Sequence, residues 1–192
     1  KFCRGQVGMM VATRPILTEE LGICERTGTR FIEIPIAMDA IVFAINDQNT
    51  IETLTTEQIT SIWNESPPNV SVWPASSRRL DLFGPSVRSV EAHQLRIALW
   101  NDQTHSIRED YTQLSRYDMM ASNMSTNRNS LAFMSYAHFV TYRENITALA
   151  VNNIEPNAEN IQAGLYPFSN FLFFYINPNE ISNPAVLEYV HY

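Results

Sequence analysis

The run Phe31–Asn46, FIEIPIAMDAIVFAIN, constrains this chain more than any other stretch. It is the longest apolar run, and it is rich in Ile, Val and Phe. Branched and aromatic side chains suit a pleated surface better than a helix. Pro35 excludes a helix interior, since it lacks an N–H and its ring clashes with the preceding turn. The pattern predicts a strand, a break at Pro35, and a second strand from Ala40 to Ile45. That second strand has no polar alternation, so both its faces are covered, as in a central strand of an α/β sheet. Asn46-Asp47-Gln48-Asn49 ends it.

Upstream, Met9–Ala12 reads as a short strand. Pro15 marks a turn, Thr18-Glu19-Glu20 opens a short helix carrying Leu21 and Cys24, and Gly28 ends it. Downstream, Thr55-Thr56-Glu57-Gln58 is a capping box. Ile59, Ile62 and Trp63 then share one helical face, and Pro67-Pro68 blocks continuation. Arg79–Phe83 alternates like a strand, and Gly84-Pro85 is a turn. Ser86–Trp100 reads as a helix with Val87, Leu95, Ala98 and Leu99 inward. Tyr111–Asn123 reads as loop and short helix. Leu131–Met134 reads as a strand, followed by a helix burying Tyr136, Phe139 and Val140. Ala148–Val151 reads as a strand returning to the first lobe. Asn157 caps a short helix that stops at Gly164, and Phe171–Ile176 is another strand. Asn183-Pro184 opens the last helix.

Composition narrows the function classes. With 192 residues, 45% hydrophobic and 11% aromatic, the chain is an ordered globular protein with a real core. The formal net charge is −7, and Lys1 is the only lysine beside twelve arginines. Such a balance offers no long-range attraction to nucleic acid or to an anionic membrane. No apolar window reaches the length of a membrane helix; the densest, FLFFYI at Phe171–Ile176, is strand-sized. His93, His105, His138 and His191 lack metal-ligand spacing, no cofactor motif occurs, and no carboxylate pair or Ser/His/Asp grouping points to catalysis. Counting alone leaves a disulfide and two buried thiols both open for Cys3 and Cys24. Sequons stand at Asn64, Asn69, Asn123 and Asn145 and, in a secreted eukaryotic chain, would mark surface positions.

FIEIPIAMDAIVFAIN, then LTTEQITSIW, LDLFGP, SLAFMSYAHF and AGLYPFSNFLFFYI, in that order and spacing, resemble the periplasmic phosphate-binding protein of bacterial phosphate ABC transporters. The resemblance covers Phe2 to about Tyr189. It implies an α/β, two-lobed periplasmic-binding-protein-like fold, each lobe a mixed sheet flanked by helices. Residues 1–45 and 148–192 would form the first lobe and 46–147 the second, with an anion cleft between them at helix N-termini that offer free amides. It also implies a pairing of Cys3 with Cys24 and an extracellular, cell-surface or periplasmic location.

The same resemblance makes the first lobe incomplete. Lys1-Phe2-Cys3-Arg4-Gly5 is no signal peptide and resembles the interior of a lobe, and His191-Tyr192 falls inside a helix. An upstream segment or a protein partner is expected to complete the lobe. Without it, Phe171, Phe173 and Tyr175 are expected to face water.

The resemblance brings two visible site segments. In the first, Thr13 keeps a hydroxyl, but Gly8 stands where the family has an aspartate. In the second, Ser86, Arg88 and Ser89 remain as anion contacts. Val90 replaces a glycine there, and Glu91 replaces a hydroxyl residue and brings a like charge toward a phosphate. These departures predict weak or absent phosphate binding. They favour a non-catalytic module with an eroded phosphate site, serving in assembly or interaction. The alternative is a functional phosphate or oxyanion receptor of an ABC transporter. Taken singly, Arg88 also fits a solvated helix residue, Thr13 and Ser89 fit local caps, and Arg14 fits a structural turn.

Overall fold

The computed structural model describes residues 1–64, 80–100 and 105–191. The Asn69 sequon, Pro67-Pro68 and Arg79 lie outside the described residues. The chain divides into two compact units, residues 1–38 with 170–192 and residues 39–169. Strand β2, Ile32–Asn46, contributes residues to both.

In the first unit the sheet order is β1 (Met9–Ala12), β9 (Ser169–Ile176), β2. β1 and β9 pair antiparallel, Met9 opposite Ile176 and Ala12 opposite Phe173. Strand alternation sends Tyr175 and Phe173 to one face and Phe174 and Ile176 to the other. Tyr175 packs against Phe2 and Cys24, with Phe31 and Phe173 around them. Ring centroids lie 5.7 Å apart for Phe31–Tyr175 and 6.1 Å for Phe2–Tyr175. The Cys3–Cys24 disulfide ties the first turn to helix α1 (Thr18–Thr27) beside this cluster. Gly28 ends α1 at φ 68°, in the left-handed region that a residue without Cβ enters freely. Phe174, Ile176 and Met9 pack on Val186 of α7 (Pro184–His191). The Tyr175 hydroxyl donates to Glu33 Oε2 at 2.6 Å. Tyr175 is therefore buried rather than facing water and Phe173 is half-buried; Phe171 alone of the three is exposed, at 48%.

In the second unit β2 pairs antiparallel with β6 (Ser130–Ser135), Ile41 opposite Ser135 and Ile45 opposite Leu131. β6 pairs parallel with β4 (Asp81–Gly84), and β4 with β5 (Thr112–Gln113), so the sheet is mixed. Residues 40–45 and 131–134 are all but inaccessible. α2 (Thr56–Trp63) lays Ile59, Ile62 and Trp63 on that sheet, and Trp63 meets the Phe133 ring edge-on at 4.8 Å. The predicted capping box is present: Gln58 N donates to Thr55 Oγ1, and Thr55 N to Gln58 Oε1 at 2.7 Å.

Several expectations change. Pro35 does not break the run; β2 is continuous over 15 residues. β6 and β7 (Ile146–Ala148) pair only with residues 41–46, so residues 32–38 form an edge of the described sheet, where a proline is tolerated. The crossings fall near 38 and 169, not 45 and 148. Residues 148–169 stay with the second unit because β7 pairs with β2, β8 (Ala150–Val151) pairs with β3 (Thr53–Leu54), and Phe168 packs on Phe43 at 5.0 Å. Ala40–Ile45 is likewise core of the second unit rather than of the first. α3 is Val90–Trp100, shorter than expected, and buries Ala92 and Leu95 while Ala98 is exposed. On α5 (Tyr136–Tyr142), Val140 is exposed.

Candidate functional site

β4 and β6 run in parallel, so their carboxyl ends, Gly84 and Ser135, open on the same edge of the second unit's sheet. That edge is where open α/β sheets bind ligands. The chain leaves β4 through Pro85 into the turn Ser86–Ser89 and then enters α3. Ser89 N donates to Ser86 O at 2.8 Å, and Arg88 N to Ser86 Oγ at 3.3 Å. Val87 N donates to Gln113 Oε1 at 3.2 Å. Ser89 Oγ accepts from Ala92 N at 3.0 Å and caps α3.

Three amides of the turn are thus already bonded within the protein, contrary to the expectation of free amides. The side chains of the turn remain as donors. Each serine oxygen accepts one local bond, which leaves its O–H able to donate to a ligand. Arg88 is exposed, and its guanidinium presents a fixed fork of donors suited to an oxyanion. The structure thus gathers Ser86, Arg88 and Ser89 in one turn. Thr13 follows β1 in the first unit and is half-buried.

Glu91 is held by neighbours that the sequence did not reveal. The hydroxyl of Tyr117, at the start of α4 (Tyr117–Ser125), donates to Glu91 Oε1 at 2.7 Å. Burial, and then this bond to Glu91, raise the Tyr117 pKa above the ordinary phenol value. His138 stacks on the Tyr117 ring with centroids 3.7 Å apart, and its Nδ1 lies 3.9 Å from Glu91 Oε1 and 2.8 Å from Ser135 Oγ. Serine and carboxylate both face the same ring nitrogen, so the group cannot relay a proton as a hydrolase triad does. Among the described residues there is no group of His, Cys, Asp and Glu with metal-binding arrangement.

In the first unit, Arg14 donates from Nη1 and Nη2 to both oxygens of Glu20, at 2.8 and 2.9 Å. It is a structural ion pair. At Gly8 an added Cβ would lie 2.4 Å from Glu180 Cγ and 2.8 Å from its Cδ. A carboxylate therefore does stand against residue 8, delivered from the turn after β9. Of the described sequon residues, Asn64, Asn123 and Asn145 are all exposed.

Residues 1–192 match the family described as the PBP superfamily domain. The chain belongs to the PBP superfamily. It is 25% identical over 204 residues to protein SphX of Synechococcus elongatus, covering 100% of this chain and 60% of that protein. It is 22% identical over 199 residues to the phosphate-binding protein PstS of Staphylococcus aureus, covering 97% and 58%. It superposes on the crystal structure of a possible phosphate binding protein from Planctomyces limnophilus with TM-score 0.81 and 24% identity, over 99% of this chain and 71% of that one. The α/β fold of a periplasmic-binding-protein-like domain is that of these relatives. The chain spans about 60% of the length of the relatives it matches by sequence.

Proposed function

We propose that this PBP superfamily chain is a non-catalytic oxyanion-binding module of the receptor type, with phosphate as its ligand. The observation that carries the reading is the Ser86–Ser89 turn, with Arg88 exposed, at the shared carboxyl edge of the parallel strands β4 and β6. A relative named for phosphate binding supports the choice of ligand. The expectation of an eroded site kept for assembly finds no support there. Part of its basis also weakens: Glu180 places a carboxylate at Gly8. The receptor role implies an extracellular, cell-surface or periplasmic setting, where glycans at Asn64, Asn123 or Asn145 would be tolerated.

Calorimetry with inorganic phosphate at neutral pH tests the reading. Saturable binding that Arg88→Ala weakens about tenfold or more agrees with a charge-assisted contact. Absence of binding, or an Arg88→Ala variant that binds as the parent does, overturns it.

The edge of the first unit motivates the proposed protein partner. Residues 32–37 of β2 are exposed, Ile36 to 52%. An open, apolar strand edge is a template for another strand. We propose that it is covered by an upstream segment of the same polypeptide or by a neighbouring subunit. Expression of residues 1–192 alone gives the test: a soluble, monomeric, cooperatively unfolding product would show that nothing needs to cover that edge.

A further inference from the structure

We infer that His138 is a proton-controlled charge that sets the anion affinity of the Ser86–Ser89 turn, by compensating Glu91; this rests on the oxyanion-binding reading above. Glu91 lies in the first turn of α3, two residues beyond Ser89. A carboxylate there repels an anion held at the same helix end, and it also consumes the positive end of the helix dipole.

Three elements fix the geometry around that carboxylate. Tyr117, from α4, donates to Oε1. His138, from α5, stacks flat on Tyr117 at an interplanar angle of 13° and points Nδ1 toward the same Oε1. Ser135, at the end of β6, holds His138 by backbone and by ring: its Oγ accepts from the His138 backbone N at 3.3 Å and bonds the ring Nδ1 at 2.8 Å. The ring is thus positioned before any proton arrives.

The charged or titratable groups that face His138 are Glu91 on α3 and Tyr117 on α4, and Asp39 on β2 acts on Tyr117. Arg116 and Asp118, at the start of α4, pair with each other. Proton uptake turns a neutral imidazole into a cation. Neutral His138 leaves the Glu91 charge uncompensated. Protonated His138 donates Nδ1–H to Ser135 and sets a cation against Glu91, while the Tyr117 face receives that cation favourably. Oxyanion affinity therefore rises as pH falls.

Phosphate changes its own charge with pH, so the test compares variants at each pH. Phosphate dissociation constants are measured for the parent, His138→Gln and Glu91→Gln at pH 5.5 and 8, with circular dichroism to confirm folding. The ratio of His138→Gln to parent is expected to rise about fivefold from pH 8 to 5.5, a typical coupling between sites. Glu91→Gln is expected to bind tighter than the parent at pH 8. A ratio that stays constant with pH, while all three proteins bind phosphate, overturns the role of His138 and leaves the oxyanion reading intact. No phosphate binding by the parent at either pH removes the reading and this inference together.

Discussion

Glu180 occupies the space in front of Gly8: a methyl group at residue 8 would meet Glu180 Cγ at 2.4 Å. Gly8 is also pinned, because its carbonyl accepts a hydrogen bond from Asn177 N at 2.8 Å. The glycine is therefore required by close approach and not by an unusual backbone angle. Gly8→Ala is expected to cost about 1–2 kcal/mol, the range of mild overpacking. Adding Glu180→Ala should recover most of it. Urea denaturation of the two single variants and the double variant checks this, and additive losses would sink the explanation.

Gly84 meets a harder wall. A Cβ there would lie 2.3 Å from Phe133 Cε1. Phe133 is wholly buried and is locked edge-on against Trp63 and Tyr111. Glu180 can swing toward solvent, but Phe133 has nowhere to go. Gly84→Ala is expected to cost about 3 kcal/mol, the upper end of overpacking in a well-packed core. The measured loss should exceed that of Gly8→Ala; the reverse order would contradict the packing described here.

The Cys3–Cys24 bridge closes a loop with a sequence separation of 21. Chain-entropy arguments give about 3 kcal/mol for a loop of this size. Paired Cys3→Ser and Cys24→Ser replacement should lower the stability of the protein by about that amount. Thiol labelling of the native protein should modify neither cysteine.

The Arg14–Glu20 pair predicts a pH dependence with a definite sign. The hydrogen bond from Arg14 lowers the Glu20 pKa below its ordinary 4.5. The folded state therefore binds that proton less readily than the unfolded state. The contribution is complete above about pH 4.5 and is lost as pH falls through the depressed value. Both side chains are partly exposed, at 29% and 41%, so the pair is worth only about 0.5–1 kcal/mol. Arg14→Gln should lose this amount at pH 7 and progressively less as pH falls below 4.5. Equal losses above and below that pH would show that the pair is not the source.

What the sequence determined by itself was local or strongly periodic. The apolar run at Ala40–Ile45 dictated a doubly covered strand, and the structure buries every residue of it. The Thr55/Gln58 box, the Asn157 cap and the Gly28 stop each act within a few residues, so their chemistry is written in neighbouring letters. The grouping of Ser86, Arg88 and Ser89 came from the family resemblance and not from a local rule.

Only the tertiary structure decided what depends on partners remote in the chain. Periodicity says which face of a strand is apolar, not which strand lies beside it. The return to the first unit therefore moved to residue 169, set by β7 on β2 and Phe168 on Phe43. Pro35 is tolerated because β2 is an edge there, a property of the sheet and not of the dipeptide. The carboxylate at Gly8 comes from Glu180, and the partners of Glu91 come from α4 and α5. Hydrogen bonds and stacking form between groups brought together by burial of the apolar faces, and no local pattern in the sequence encodes such a meeting.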